Sequence, residues 1–383
     1  MQFKRIAIDP RTTRTVKRVE HSANRALRWL DRTLAKAHLG GRRAPYDDEL
    51  YEFLGGSGET LRKKHYDKSL RLLWKAEAQA PYLDFRDCTA QEKELTQMAE
   101  RAMSGEEKAQ LKRLGTAEYR ALLNREYTPR QKQAIVNLLS AVGHGEAYAW
   151  LTSAELMASV KTTGARAALT MQVLEEAKHF LVLRELARAF EVPVPRLSAP
   201  EYLMLERVLK AEGLEKFFGM NVLVEGIALG LFGALSHLPG LEVLRMFHLD
   251  ESRHTALPTN YFREFPLSAK QKQNVLAKFR RLFMIAPALL LIPTLEDDMA
   301  ELGIDAFDFG GSVVRKITQL SARNGFELPF SNDSLLEGVD QLLNTYCRLT
   351  RPGHVERIFT RQETTRGVHE LSVEREVFLG QTA

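Results

Sequence analysis

Cysteine is nearly absent from this chain. There are two in 383 residues, Cys88 and Cys347. No CxxC spacing exists, so neither a disulfide framework nor a zinc ribbon is supported. Long apolar runs are also missing. The longest uncharged one, Leu282 to Leu295, is too short to span a bilayer and carries Pro287 and Pro293. The first residues, MQFKRIAIDPRTTRTVKRVE, are polar and basic with no apolar segment. The expectation is a cytoplasmic protein with no secretory leader and no membrane association. Period-two alternation, tandem repeats and low-complexity tracts are all lacking, which argues against a sheet, a solenoid or a disordered chain. Charge of one sign does not dominate either: 54 Lys and Arg stand against 49 Asp and Glu, a formal +5. A pI of about 9.0 permits an acidic partner or nucleic acid and requires neither.

What is present is helical periodicity. Apolar residues recur at three and four along almost every segment, and glycine and proline fall mainly between segments. The expected fold class is all-α. Residues 1–127 read as a basic, helical N-terminal extension, with helices over Thr15 to Leu39 and Glu59 to Ala78. Its Lys and Arg density is that of solvated helix faces. Residues 128–265 read as the core, and 266–383 as C-terminal helices packing on it, with a polar tail after Thr360. Within the core, YTPR starts a long helix through Val160, with Pro129 in its first turn. KTTGA breaks it, and a second helix runs from about Arg166 to Phe190. EVPVPRLSAP is a rigid crossover into a helix ending at Ala211. A further helix covers Leu214 to Ser236, HLPG turns the chain, and another ends near Pro258. Short loops imply antiparallel neighbours. Two helical hairpins joined by one long crossover have the connectivity of a ferritin-like four-helix bundle.

Two of ten histidines have a Glu three residues before them, and the two segments match at their flanks. LEEAKH holds Glu175, Glu176, Lys178 and His179; LDESRH holds Asp250, Glu251, Arg253 and His254. Residues i and i+3 share a helix face, so each Glu and His can grip one ion. A carboxylate–imidazole pair suits iron, manganese or zinc. Two facing pairs supply only two negative charges, so the other helices are expected to add carboxylates. On the first, Glu146 and Glu155 point to opposite sides, and Glu146 lies on the apolar stripe with Leu139, Val142 and Trp150. On the third, Glu225 is the one acid in FFGMNVLVEGIALGLFGAL, where Gly226 and Gly230 would admit a neighbouring helix. A metal-free salt-bridged network, or a buried Arg or Lys against Glu225, is the structural alternative.

The order Glu146, Glu176 with His179, Glu225, Glu251 with His254 resembles the di-iron carboxylate branch of the ferritin-like superfamily, over about Thr128 to Pro258. The flanks EEAKH and DESRH look like those of bacterial multicomponent monooxygenases and soluble acyl-carrier desaturases. The resemblance implies a di-iron centre, with Mn/Fe sharing the ligand set. It implies that Asp250 bonds His179 and Glu175 bonds His254, balanced by Lys178 and Arg253. His248, three residues before Glu251, is a candidate extra ligand, because p-aminobenzoate N-oxygenases carry a similar His. Leu183 stands where reductase small subunits have a radical Tyr, and Leu229 where multicomponent monooxygenases have a Thr. Leu183, Leu229, Phe218, Phe232 and Phe247 are the expected substrate lining. The expected activity is O2-dependent oxidation of an organic substrate that is apolar or held on a carrier protein, with an external electron donor and a homodimer as the assembly. A non-catalytic or iron-oxidising ferritin-like protein is the alternative, and a tRNA-modifying hydroxylase the third reading.

Overall fold

The computed structural model describes residues 4–36, 113–272 and 274–358. The helix expected over Glu59 to Ala78 and the polar tail after Thr360 lie outside the described residues. Among the described residues there are helices and no strands. In chain order they are α1 (Pro10–Lys36), α2 (Ala117–Glu126), α3 (Pro129–Ser159), α4 (Thr163–Ala189), α5 (Ala199–Lys210), α6 (Leu214–Leu235), α7 (Leu244–Glu264), α8 (Ala269–Lys272), α9 (Val275–Glu301), α10 (Ala306–Asn324) and α11 (Asn332–Thr350). The boundaries follow local chemistry. Thr128 caps α3 in a reciprocal capping box with Gln131, and Pro129 occupies the first turn, where its missing N–H costs nothing. Thr162 caps α4 through the Ala165 amide. Gly325 ends α10 in the left-handed region, which lacks a Cβ penalty only for glycine.

Helices α3 and α4 form one antiparallel hairpin and α6 and α7 the other; α4 lies beside α7, and α3 beside α6. The crossover helix α5 packs on α3 and α9. Tyr119 and Tyr127, at the two ends of α2, donate to the Gly240 and Pro239 carbonyls and so hold the turn between α6 and α7. Helix α6 is long and apolar enough to cross a membrane, but 94% of its apolar window is buried inside the fold, as in a core helix of a soluble protein. Its stretch Phe218–Val224 is π-helical. Gly226 and Gly230 let α10 approach: a Cβ at Gly226 would stand 3.2 Å from Ile317, and one at Gly230 3.0 Å from Val313. That contact uses up the space the glycines leave.

Two prolines sit inside α9 and one inside α7, where the sequence suggested an end. Pro258 lacks the N–H that would bond the His254 carbonyl one turn back. That carbonyl accepts instead from Asn221 Nδ2 of α6 at 3.0 Å, and α7 continues to Glu264.

Arg281 of α9 is buried to 1% exposure. It meets both Glu215 oxygens, at 2.9 and 2.8 Å, donates to the Glu327 carbonyl at 2.8 Å and lies over the Phe326 ring at 5.2 Å. Removing one member leaves a half-buried charge unpaired. Arg281→Met is therefore expected to lower unfolding stability by about 3 kcal/mol, and the double variant with Glu215→Met to regain most of it. Urea unfolding of the two variants checks this; equal losses in both would contradict it.

Candidate metal centre

Four helices bring six side chains to one buried place. Glu146 comes from α3, Glu176 and His179 from α4, Glu225 from α6, Glu251 and His254 from α7, and none exceeds 3% exposure. They form two overlapping groups capable of holding an ion: Glu146, Glu176, His179 and Glu251, and Glu176, Glu225, Glu251 and His254. In each group the donor atoms lie within 4.8 Å of one another. Glu176 and Glu251 belong to both.

The two shared carboxylates divide their oxygens between the imidazoles. Glu251 places Oε1 3.0 Å from His179 Nδ1 and Oε2 2.9 Å from His254 Nδ1. Glu176 places Oε2 3.7 Å from His179 Nδ1 and Oε1 3.1 Å from His254 Nδ1. Glu146 and Glu225 close the two ends, at 3.6 Å from His179 Nδ1 and 3.4 Å from His254 Nδ1 respectively. Both Nδ1 atoms therefore face inward. Both Nε2 atoms face outward to a carboxylate on the opposite motif: His179 to Asp250 at 3.0 Å, His254 to Glu175 at 2.9 Å. A carboxylate holding the Nε2 proton leaves the Nδ1 lone pair for a ligand. Lys178 donates to Asp250 at 2.7 Å, and Arg253 to Glu175 at 2.6 Å and Asp250 at 2.5 Å.

The residues fit a metal ion better than they fit each other. Both Glu146 oxygens and Glu176 Oε2 are buried without a hydrogen-bond partner among the described residues, and Glu251 Oε1 and His179 Nδ1, though 3.0 Å apart, are not aligned for a hydrogen bond. Orphaned buried acceptors each cost about 1–3 kcal/mol. The donor set of carboxylate oxygens and imidazole nitrogens is that of iron, manganese or zinc. Burial raises the Glu146 and Glu225 carboxyls well above the usual range, and the charges of Glu176 and Glu251 push the same way. Burial also opposes ionisation at Glu176 and Glu251, yet the imidazoles hold Glu176 well down and Glu251 at about 2. The histidines, despite burial, are raised by those carboxylates and by Asp250 and Glu175.

Two amides join this cluster that the sequence reading did not single out. Gln172, one turn before Glu176, donates to Glu225 at 2.8 Å and to Glu176 at 3.3 Å. Asn221, four residues before Glu225, donates to the Gln172 carbonyl oxygen at 3.0 Å. An uncharged amide one turn before a carboxylate in an apolar helix is the signal that would have found both.

Other expected residues lie elsewhere. His248 is buried, faces the Leu229 carbonyl through Nδ1 at 2.9 Å and belongs to neither ion-holding group. Glu155 pairs with Lys216. Trp150 is 37% exposed against Phe180, at the edge of a face that stays buried at Ala149, Ser153 and Leu156. Phe247 stacks on His179 at 4.3 Å, and Phe232 meets it edge-on at 6.1 Å; these rings back the imidazole. Phe218 packs on Phe326 instead. The cavity beside the cluster is lined by Glu146, Glu225, Val142, Gly145, Met204, Leu231 and neighbours, and by none of Leu183, Leu229, Phe218, Phe232 or Phe247. It measures about 40 Å³, room for about three waters. No family model, no curated protein and no solved structure matches this chain.

The raised groups set the pH behaviour. Burial raises the proton affinity of Glu146 and Glu225, and neighbouring carboxylates raise that of His179 and His254, so metal and protons compete for the cluster. Loading is expected to release protons, and affinity to rise with pH. Indicator-dye titration in weak buffer measures the release; none at all would contradict the assignment. Asp250→Asn is expected to weaken metal binding about 10–100-fold in chelator competition.

Proposed function

We propose that the protein is an O2-activating dimetal oxidoreductase that acts on an organic substrate, built on a ferritin-like four-helix bundle of α3, α4, α6 and α7. The observation that carries the reading is the sharing of Glu176 and Glu251 between two donor groups, each with its own imidazole and its own terminal carboxylate. A single-ion site needs neither the second histidine nor the second terminal Glu. The crossed bonds of Asp250 to His179 and Glu175 to His254 support it, because they fix both imidazoles in the ligand tautomer. Two iron ions, or manganese with iron, are the metals of this reading.

Such a centre, once reduced, supplies O2 binding and cleavage of its bond. The chain supplies the surroundings. Glu146 and Glu225, the carboxylates not shared between the groups, both line the small cavity, so O2 and the reacting end of a substrate meet the centre from that side. Val142, Met204, Leu205 and Leu231 keep the same side apolar and limit water. Gln172 fixes the orientation of Glu225 through its amide. Electrons would come from an external donor.

Anaerobic loading with ferrous iron, desalting and O2 addition test this reading. The wild-type chain is expected to retain about two equivalents of iron and to take up O2. Glu176→Ala, which removes a shared ligand, is expected to retain about one equivalent or less and to lose most O2 uptake. Retention well below one equivalent by the wild-type chain, or full uptake by the variant, would overturn it.

A further inference from the structure

Helix α9 is apolar on both sides. Its inner side packs on α1, α3, α5 and α10. A surface helix ordinarily turns charged residues to solvent. Here the solvent side carries Val275, Leu276, Phe279, Phe283, Ala286 and Leu290, all exposed, with Arg280 at one edge. These six side chains fall within about 100° of arc and run along about 22 Å of helix. Phe279 is 46% exposed and Phe283 63%, so neither ring is a core residue. A contiguous apolar strip of this kind marks a contact surface.

The charge beside the strip has one sign. From Ser268 to Leu295 there are three Lys, two Arg and no Asp or Glu. Lys278 pairs with Glu327 at 2.6 Å, and Arg281 with Glu215 at 2.8 Å. Lys270, Lys272 and Arg280 form no ion pair among the described residues, and no residue of α8 is buried. A further cation comes from α5. Pro287 has no N–H to offer the Phe283 carbonyl, and Arg207 donates to that carbonyl instead. Its guanidinium lies 5.7 Å from the centre of the Phe283 ring.

We propose that this face of α9 docks on the surface of a bilayer that carries anionic lipid. Phe279, Phe283 and Leu290 enter the boundary between headgroups and acyl chains, while Lys270, Lys272 and Arg280 meet headgroup phosphates. Charge complementarity selects this occupant. A two-fold contact with a second copy along α9 would set one cation-rich segment against another, with no acid in either to pair with them. The contact is peripheral and needs no spanning segment, so a search for long apolar runs passes over it. It does not depend on the dimetal reading of the interior.

Flotation of the full-length chain with two kinds of vesicle tests the assignment: phosphatidylglycerol mixed with phosphatidylcholine, and phosphatidylcholine alone. The chain is expected to float with the anionic vesicles, at least about tenfold more tightly than with the neutral ones, and to be released by raised salt. Phe279→Ser combined with Phe283→Ser is expected to weaken binding about tenfold or more, because it removes apolar area that enters the bilayer. Lys270→Gln combined with Lys272→Gln is expected to weaken it about tenfold. Should the phenylalanine variant fail to fold, Leu276→Ser with Leu290→Ser thins the same strip at two exposed positions. Equal binding to both vesicles, or none to either, would overturn the proposal. So would anionic binding that neither serine variant weakens, since the contact would then lie elsewhere on the chain. A wild-type dimer in sedimentation that the serine variant dissociates, with no flotation, would assign the face to a second copy instead.

Discussion

Repulsion between Glu176 and Glu251 is the constraint on which the interior depends. Two carboxylates, each fully buried, face the same pair of imidazoles from adjacent helices. Water is excluded, so their charge is not screened, and the energetic cost of leaving it uncompensated is several kcal/mol per group. The fold answers with positive charge inside the cluster and, outside it, with a ring of ion pairs. Without metal, the surroundings favour protons on the two histidines and on Glu146 and Glu225. Protons or a metal ion can supply the same compensation.

The ring of ion pairs also locks the two hairpins in register. His179 on α4 reaches Asp250 on α7, and His254 on α7 reaches Glu175 on α4. Each motif thus completes the other, and a slip of either helix by one residue would break both bonds. Arg253 touches both outer acids, which makes it a bracket across the pair. A surface ion pair of this kind contributes little by itself. Here its partners are already fixed by the imidazoles, so the entropy of ordering them has been met by the buried bonds.

Much of this was legible in the sequence because helical spacing and charge are local properties. The repeated Glu-x-x-His, its acidic and basic flanks, and a lone Glu in an apolar helix need no tertiary knowledge to be noticed. The lining of the small cavity was not legible, and Phe218 shows why. Seven residues separate it from Glu225, almost two α-turns, which would put both on one face. The π-helical stretch between them widens the turns, breaks that register and sends Phe218 to Phe326. Trp150 fails for a different reason: spacing gives the direction of an apolar stripe but not its width. Gln172 and Asn221 escaped notice because amides carry no charge and match no metal-ligand pattern.

Asn221 and Pro258 together explain why the site tolerates two features that look unfavourable alone. A proline inside α7 removes one backbone bond and frees the carbonyl of His254. An asparagine inside an apolar stretch of α6 is costly unless its amide is used, and here the Nδ2 end is used while Oδ1 has no hydrogen-bond partner among the described residues. Each supplies what the other lacks: the Asn221 amide donates to that carbonyl and to Gln172, and Gln172 in turn donates to Glu225 and Glu176. The backbone of His254 is thereby connected to the carboxylates of two other helices by a chain of directional hydrogen bonds. Dispersion contacts alone would leave such a cluster free to slide by fractions of an ångström. Hydrogen bonds of fixed geometry do not, and donor atoms that share ions need positions held to that tolerance.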